Sequence, residues 1–300
     1  MARAKINLRH RVFLPDCTGY HGVETLLMRI SLADRIEIEQ TQPGTGVSIT
    51  VDGPFAAGVP QDETNLCCRA AEAFFQEAFR RAARAPGIRI RLTKGVPHGS
   101  GLGGGSADAG AVLRCLAGRW ARLTNRELVK IAGRIGSDVP FFCIDVPMAL
   151  GWERGRRLLP LRPPPPRPGL LVCPRVHVSA REAYQELIRA RPGANGEGPP
   201  DPGGASVLPG ATRLATWESL QPLVRNDLTP PVAANYPAIA DWLRRVEQTE
   251  PAVFGMTGSG SAVFALFKSV KARDTARGKL MEVGEGAEGT PDLLDFSAPE

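Results

Sequence analysis

The chain of 300 residues has no apolar run that approaches the length of a membrane span, and no apolar region follows its first methionine. Both absences lead us to expect a cytoplasmic protein with no membrane partner. Its six cysteines, Cys17, Cys67, Cys68, Cys115, Cys143 and Cys173, include no C-x-x-C spacing, which fits reduced thiols better than a disulfide framework. Lysine is scarce: only six of the 37 basic residues are lysine, the rest being arginine. No long basic run and no interleaving of basic with aromatic residues occurs, so nucleic acid is not an expected partner despite a net charge of +6. The excess positive charge suits anionic small molecules instead. A hydrophobic content of 43% is enough for a true core, and the length suits two modest domains or one large one.

What the chain has in abundance is glycine, concentrated at one place. In Val96-Pro97-His98-Gly99-Ser100-Gly101-Leu102-Gly103-Gly104-Gly105-Ser106, five glycines fall within seven positions. A helical pattern follows at once, with Val112, Leu113, Leu116 and Trp120 on one face and Ser106 placed to cap its start. A glycine loop that runs into a helix N-terminus offers unpaired amides and the positive end of a dipole, which together suit phosphate. Gly99, Gly101 and Gly104 satisfy G-x-G-x-x-G, but the strand before them alternates Ile88, Ile90 and Leu92 with Arg89, Arg91 and Thr93. A half-exposed, antiparallel strand of that kind argues against a dinucleotide-binding dehydrogenase, and the Lys-Ser/Thr ending of a Walker loop is missing.

Pro97 to Ala109 resembles the phosphate loop of the galactokinase, homoserine, mevalonate and phosphomevalonate (GHMP) kinase superfamily, and within it the 4-diphosphocytidyl-2-C-methyl-D-erythritol kinases. Other segments in the same order strengthen the likeness. Ala4-Lys5-Ile6-Asn7-Leu8 resembles the opening motif, Gly19-Tyr20-His21 the Gly-Tyr-His of the diphosphocytidyl kinases, and Gly136-Ser137-Asp138-Val139-Pro140 the Gly-Ala-Asp-Val-Pro segment. Met256-Thr257-Gly258-Ser259-Gly260 resembles the third motif, and Asn226-Asp227-Leu228 a further family motif that reads equally well as a helix-start turn. Pro15-Asp16-Cys17-Thr18 departs from the usual Arg-Pro-Asp-Gly, and Ser137 replaces the usual alanine.

The resemblance implies an α+β fold of two GHMP kinase-like domains, over 1–158 and 159–283, with the active site in the cleft between them. Residues 191–211 read as a Gly/Pro-rich insertion and 284–300 as a loose, disordered tail. The implied reaction is ATP-dependent phosphorylation of an alcohol, with Mg²⁺ as companion ion and a cytidine-diphosphate alcohol as acceptor; no oligomeric state is implied. Lys5 and Asp138 are the expected catalytic pair. Asn65, Lys94, Pro97, Gly99, Gly101, Leu102, Gly103, Gly104, Gly105, Ser106, Gly258, Ser259 and Gly260 are expected around ATP, with the Ser106 hydroxyl also reaching the metal. Asn7, Tyr20, His21 and Tyr184 are expected at the acceptor. Asp108 is a point of tension, because a carboxylate at a phosphate-binding helix start repels phosphate unless it faces away. A small-alcohol kinase of the homoserine or mevalonate type is the alternative, which Tyr20-His21 speaks against. A non-catalytic nucleotide-binding relative is another, which the presence of both Lys5 and Asp138 speaks against.

Overall fold

The computed structural model describes residues 1–15, 21–79, 85–120, 123–153, 157–190, 214–284 and 290–300. Tyr20 and the 191–211 insertion lie outside the described residues, as does the side chain of His21. Among the described residues the strands form a seven-stranded and a four-stranded sheet.

The first sheet is organised by a long strand. β1 (Ala2–Pro15) pairs antiparallel with β2 (His21–Thr41) from the chain start to Asp34. Beyond that point β2 continues alone and pairs with β4 (Gly87–Thr93), which in turn carries β3 (Val47–Asp52) in parallel. The half-exposed reading of β4 holds: Ile88, Ile90 and Leu92 are buried and Arg89 and Arg91 exposed. It is antiparallel to β2 but parallel to β3. β5 (Met148–Trp152) pairs on β2, and β6 (Arg157–Pro160) pairs on β5. Between β3 and β4 lies α1 (Leu66–Ala78). After β4 come α2 (Gly104–Arg119), α3 (Asn125–Ile135) and the short α4 (Val139–Cys143). Thr124 and Glu127, spaced as T-x-x-E, form a capping box at the start of α3. Val139–Cys143 reads in sequence as an apolar strand but is this short helix; Pro140 occupies its first turn, where a missing N–H costs nothing.

The second sheet has the order β11-β7-β10-β9, built from β7 (Arg167–Cys173), β9 (Val253–Met256), β10 (Val263–Leu266) and β11 (Asp292–Ala298). β11 corrects the expectation of a loose tail: Asp292 to Ala298 pair antiparallel with β7, and Phe296 and Ala298 are buried. Alternating Leu and Phe against polar neighbours in Leu293-Leu294-Asp295-Phe296 is a strand signal that the polar flanks hide. Around this sheet stand α5 (Ala180–Ala190), α6 (Trp217–Leu220), the two-residue β8 (Arg225–Asn226), α7 (Thr229–Asn235), α8 (Pro237–Glu247) and α9 (Val270–Gly284). β8 belongs to the first sheet, parallel to β1, so the two halves are stitched through a shared strand edge.

The two sheets pack face to face. Ala4, Ile6 and Leu8 of β1 and Leu26, Met28 and Ile30 of β2 meet Leu171 of β7, Phe264 and Leu266 of β10 and Phe296 of β11. β7 and β10 are buried on both sides, because Leu170, Val172, Val263 and Ala265 turn outward under α8 and α9. On the far side, α1, α2 and α3 cover β3 and β4 through Phe74, Ile90, Val112 and Ile131. Each fully buried Val, Leu, Ile, Phe or Met among them contributes about 1.5–3 kcal/mol. The result is four layers, with β1 and the loop before α2 at the middle. Among the described residues no helix is long and apolar enough to cross a membrane.

Candidate active site

The glycine loop ends in a left-handed residue. Gly103 (φ +70°) is the N-cap of α2, and Ala107 N donates to Gly103 O to close the first turn. Ser106 therefore sits in the third helical position and caps nothing, contrary to the sequence reading; the left-handed cap needs glycine and moves the helix start three residues upstream. The amides of Gly104, Gly105 and Ser106 precede the first helical bond and face outward at the positive end of the dipole. Gly99 (φ +70°) and Gly101 (φ +83°) are also left-handed.

The loop is pressed against a second one, between β9 and β10. A Cβ on Gly101 would run into the Thr257 carbonyl, and one on Gly258 would stand 2.9 Å from the Gly101 carbonyl. Ala262 N donates to Ser100 O at 3.0 Å, which ties the two loops backbone to backbone. The Asn226-Asp227-Leu228 motif has a clear task here. Asn226 Nδ2 donates to the carbonyls of Met256 and Gly258, and Asp227 Oδ2 accepts from Val12 N, so the motif holds the second loop to β1.

Between the loops and α5 opens a cleft of about 510 Å³. Of the expected site residues, Lys5, Lys94, Pro97, Gly99, Gly101 to Ser106, Asp138, Gly258 and Ser259 line it together. Gly260 is buried behind the second loop. Asn65 does not line it: its Oδ1 accepts from Cys67 N and its Nδ2 donates to Pro60 O, so the side chain is spent on capping α1. Tyr184 stands on α5, its hydroxyl 3.1 Å from His10 Nε2.

Lys5 is the centre of the cleft floor and is almost wholly buried. Its ammonium donates to Asn7 Oδ1 at 2.6 Å and to Gly101 O at 2.7 Å, and lies 3.5 Å from Asp138 Oδ2. Burial pulls its pKa down, while the charge and hydrogen bond of Asp138 oppose that fall. Asp138 itself is about a third exposed and forms no cap bond on α4, so its carboxylate is free to meet a ligand from the cleft. Arg29 and Arg114 fasten the other end of α4, donating to the carbonyls of Phe141, Phe142 and Ile144.

Two expectations change character. Asn7 is buried and paired internally: besides holding Lys5, it donates to Thr25 Oγ1 at 2.7 Å and accepts from Thr257 Oγ1 at 3.1 Å. It braces Lys5 and leaves little for a substrate. Lys94 is equally occupied, pairing with Asp34 and, at 2.9 Å, with Asp108. Asp108 thus faces away from phosphate, which resolves its tension with the anion site. Burial raises its carboxyl to about 8, with Lys94 pulling the other way and Asp34 adding to the rise. Asp34 escaped the sequence reading, and Thr257 entered it only as part of the third motif, without a role. Asp34 also accepts from Gly95 N and Val96 N and so fixes the entry to the glycine loop. No local pattern marks it, because its partners lie about sixty residues away.

Comparison with known proteins identifies the family. Residues 65–146 match the model of the GHMP kinases N terminal domain, and residues 211–286 that of the GHMP kinases C terminal domain. The 4-diphosphocytidyl-2-C-methyl-D-erythritol kinase of Methylacidiphilum infernorum is 40% identical over 274 residues, covering 89% of this chain and 85% of that protein. That of Salinibacter ruber is 36% identical and covers 92% of each. A crystal structure of 4-(cytidine 5'-diphospho)-2C-methyl-D-erythritol kinase superposes with a TM-score of 0.74 at 30% identity, over 100% of this chain and 98% of that one. Homoserine kinase from Cytophaga hutchinsonii shares the fold, with a TM-score of 0.66 at 19% identity over 98% of this chain and 94% of that one. The chain belongs to the GHMP kinases and, among them, to the family of 4-diphosphocytidyl-2-C-methyl-D-erythritol kinases.

Proposed function

We propose that this chain transfers the γ-phosphoryl group of ATP to the 2-hydroxyl of 4-diphosphocytidyl-2-C-methyl-D-erythritol, a step in the formation of isoprenoid precursors. The observation that carries the chemistry is the Lys5–Asp138 pair, held 3.5 Å apart on the floor of a glycine-lined cleft. Phosphoryl transfer asks for positioning and charge stabilisation more than covalent work. The amides at the start of α2 and the second glycine loop hold the phosphates. Asp138 orients the acceptor hydroxyl and takes its proton as the new O–P bond forms and the bond to the ADP oxygen breaks. Lys5 meets the negative charge that develops on the transferring group.

Mg²⁺ fits this site as an ion carried in by the nucleotide. Among the described residues no cluster of three acidic, His or Cys side chains exists to hold a metal alone, and Asp108 is committed to Lys94. The phosphates would supply most of its oxygens, with the Ser106 hydroxyl at the helix start as the protein donor; once bound it would neutralise phosphate charge. Tyr20, His21 and Tyr184 are assigned to the cytidine end, where a flat aromatic face and an imidazole suit a pyrimidine.

The test is a coupled assay of ADP release across candidate alcohols. Turnover is expected with the diphosphocytidyl alcohol and not with homoserine or mevalonate. Turnover of either small alcohol at comparable kcat/KM would move the chain to the other branch of the family.

A further inference from the structure

Strict alternation along β1 assigns Lys5 and Asn7 to one face and Ile6, Leu8 and His10 to the other. The structure breaks that pattern. Asn7 pairs with Leu27 but Arg9 pairs with Leu26, so β1 advances two residues while its partner advances one. This irregularity reverses the alternation for the residues that follow. His10 leaves the core formed by Ile6 and Leu8 and is buried instead against Tyr184 of α5, with the rings edge to face at 6.3 Å and 88°. Its Nε2 lies 3.1 Å from the Tyr184 hydroxyl.

A histidine is an expensive way to fill such a space. Its Nδ1 is buried with no hydrogen-bond partner, and a leucine would avoid that cost. The polar pair therefore asks for a reason beyond packing. Burial, followed by the charge of Lys5, pushes the His10 imidazole down to about 4, against the opposing charges of Asp138 and Asp227. The ring is thus neutral at physiological pH and has one donor and one acceptor nitrogen. One serves Tyr184. Tyr184 stands one helical turn beyond Ala180, which lines the cleft, and the charge of Asp138 acts on both members of the pair.

We propose that His10 is a positioning residue for the acceptor: by holding the Tyr184 hydroxyl it fixes the plane of that ring at the acceptor end of the cleft. The inference rests on the assignment of Tyr184 to the acceptor site made above. Locking a rotatable aromatic ring before binding saves ordering cost at the moment of binding, so the effect belongs to acceptor affinity.

Four variants test it: His10→Leu, His10→Gln, Tyr184→Phe, and His10→Leu combined with Tyr184→Phe. His10→Leu is expected to raise acceptor KM by about 2- to 12-fold, the reach of one net hydrogen bond. The KM for ATP is expected to stay within about twofold. Tyr184→Phe should produce the same rise, the double variant no more than either single one, and His10→Gln a partial recovery. Effects that multiply in the double variant, or an equal rise in both Michaelis constants, would overturn the proposal. So would an unchanged acceptor KM in Tyr184→Phe, which keeps the test decisive if His10→Leu does not fold. Calorimetric titration of the same proteins with cytidine 5′-diphosphate separates the two readings. A wild-type chain that binds it in a His10-dependent way, yet phosphorylates no diphosphocytidyl alcohol, would sink the proposed reaction and leave the pairing standing. A wild-type chain that turns over while His10→Leu and Tyr184→Phe bind like wild type would do the reverse.

Discussion

Asn7→Leu distinguishes a residue that touches substrate from one that braces Lys5. The substitution keeps the number and branching of side-chain heavy atoms and removes three bonds: Lys5 Nζ to Oδ1 at 2.6 Å, Nδ2 to Thr25 Oγ1 at 2.7 Å, and Thr257 Oγ1 to Oδ1 at 3.1 Å. The first is charge-assisted and worth about 1.5–3 kcal/mol; the second, neutral, about 1 kcal/mol. The third adds little, since Thr257 still accepts from the Asn7 amide and has the Gly101 carbonyl within 3.4 Å. The loss comes to about 3–4 kcal/mol, a large share of the 5–15 kcal/mol that typically holds a protein folded. At roughly 2–4 °C per kcal/mol, the denaturation midpoint should fall on the order of 10 °C. Lys5, left with Gly101 O and Asp138, becomes less firmly held, so kcat should drop while the acceptor KM moves little. Calorimetry and steady-state kinetics on the one protein read both. An unchanged midpoint together with a raised acceptor KM and an intact kcat would refute the brace and return Asn7 to the substrate.

Asp138→Asn should lower kcat by at least about 10²-fold. The fold should survive, because the Asp138 side chain is about a third exposed and caps nothing on α4, although buried Lys5 loses the charge that faces it; near-normal turnover would reduce the residue to a turn former. Gly101→Ala forces a side chain into φ +83° and toward the Thr257 carbonyl, so the two glycine loops must part. Calorimetry should show nucleotide affinity falling by more than tenfold, at about 1–3 kcal/mol for the backbone strain alone. Lys94→Met leaves the carboxylates of Asp34 and Asp108 facing each other in the interior. A stability loss of about 3–5 kcal/mol in urea denaturation is expected, whereas a selective rise in ATP KM without destabilisation would restore Lys94 to the nucleotide. His10 shapes the acid limb of stability. Its imidazole titrates near 6.5 when unfolded and at about 4 when folded, so its contribution is present above 6.5 and is lost as pH falls toward 4. At 1.36 kcal/mol per unit this amounts to roughly 3 kcal/mol, and His10→Leu should flatten that limb of a midpoint-against-pH curve. Parallel curves for the two proteins would place the acid sensitivity elsewhere.

A glycine-rich loop, the capping box of α3 and the alternation of β4 are local properties, and the sequence alone was enough for them. The loop was legible from its glycine content, the capping box from Thr124 and Glu127, and the half-exposed β4 from its period of two, whereas the left-handed cap at Gly103 displaced the start expected at Ser106. Most of the cleft lining was legible for the same reason, because its motifs are short and carry their own backbone geometry. What could not be read were pairings across the chain. Lys94 and Asn65 look like nucleotide contacts by position, yet their side chains are consumed by Asp34, Asp108 and the start of α1. Asn7 turns from substrate contact to brace because Thr257, 250 residues away, arrives beside it. Residues 292–298 become β11 because β7 offers them an edge. His10 turns to Tyr184 rather than to the core because of a register shift that no alternation in β1 announces. Each of these depends on which polar groups meet when the sheets close, and a buried polar group takes the partner that the tertiary structure delivers.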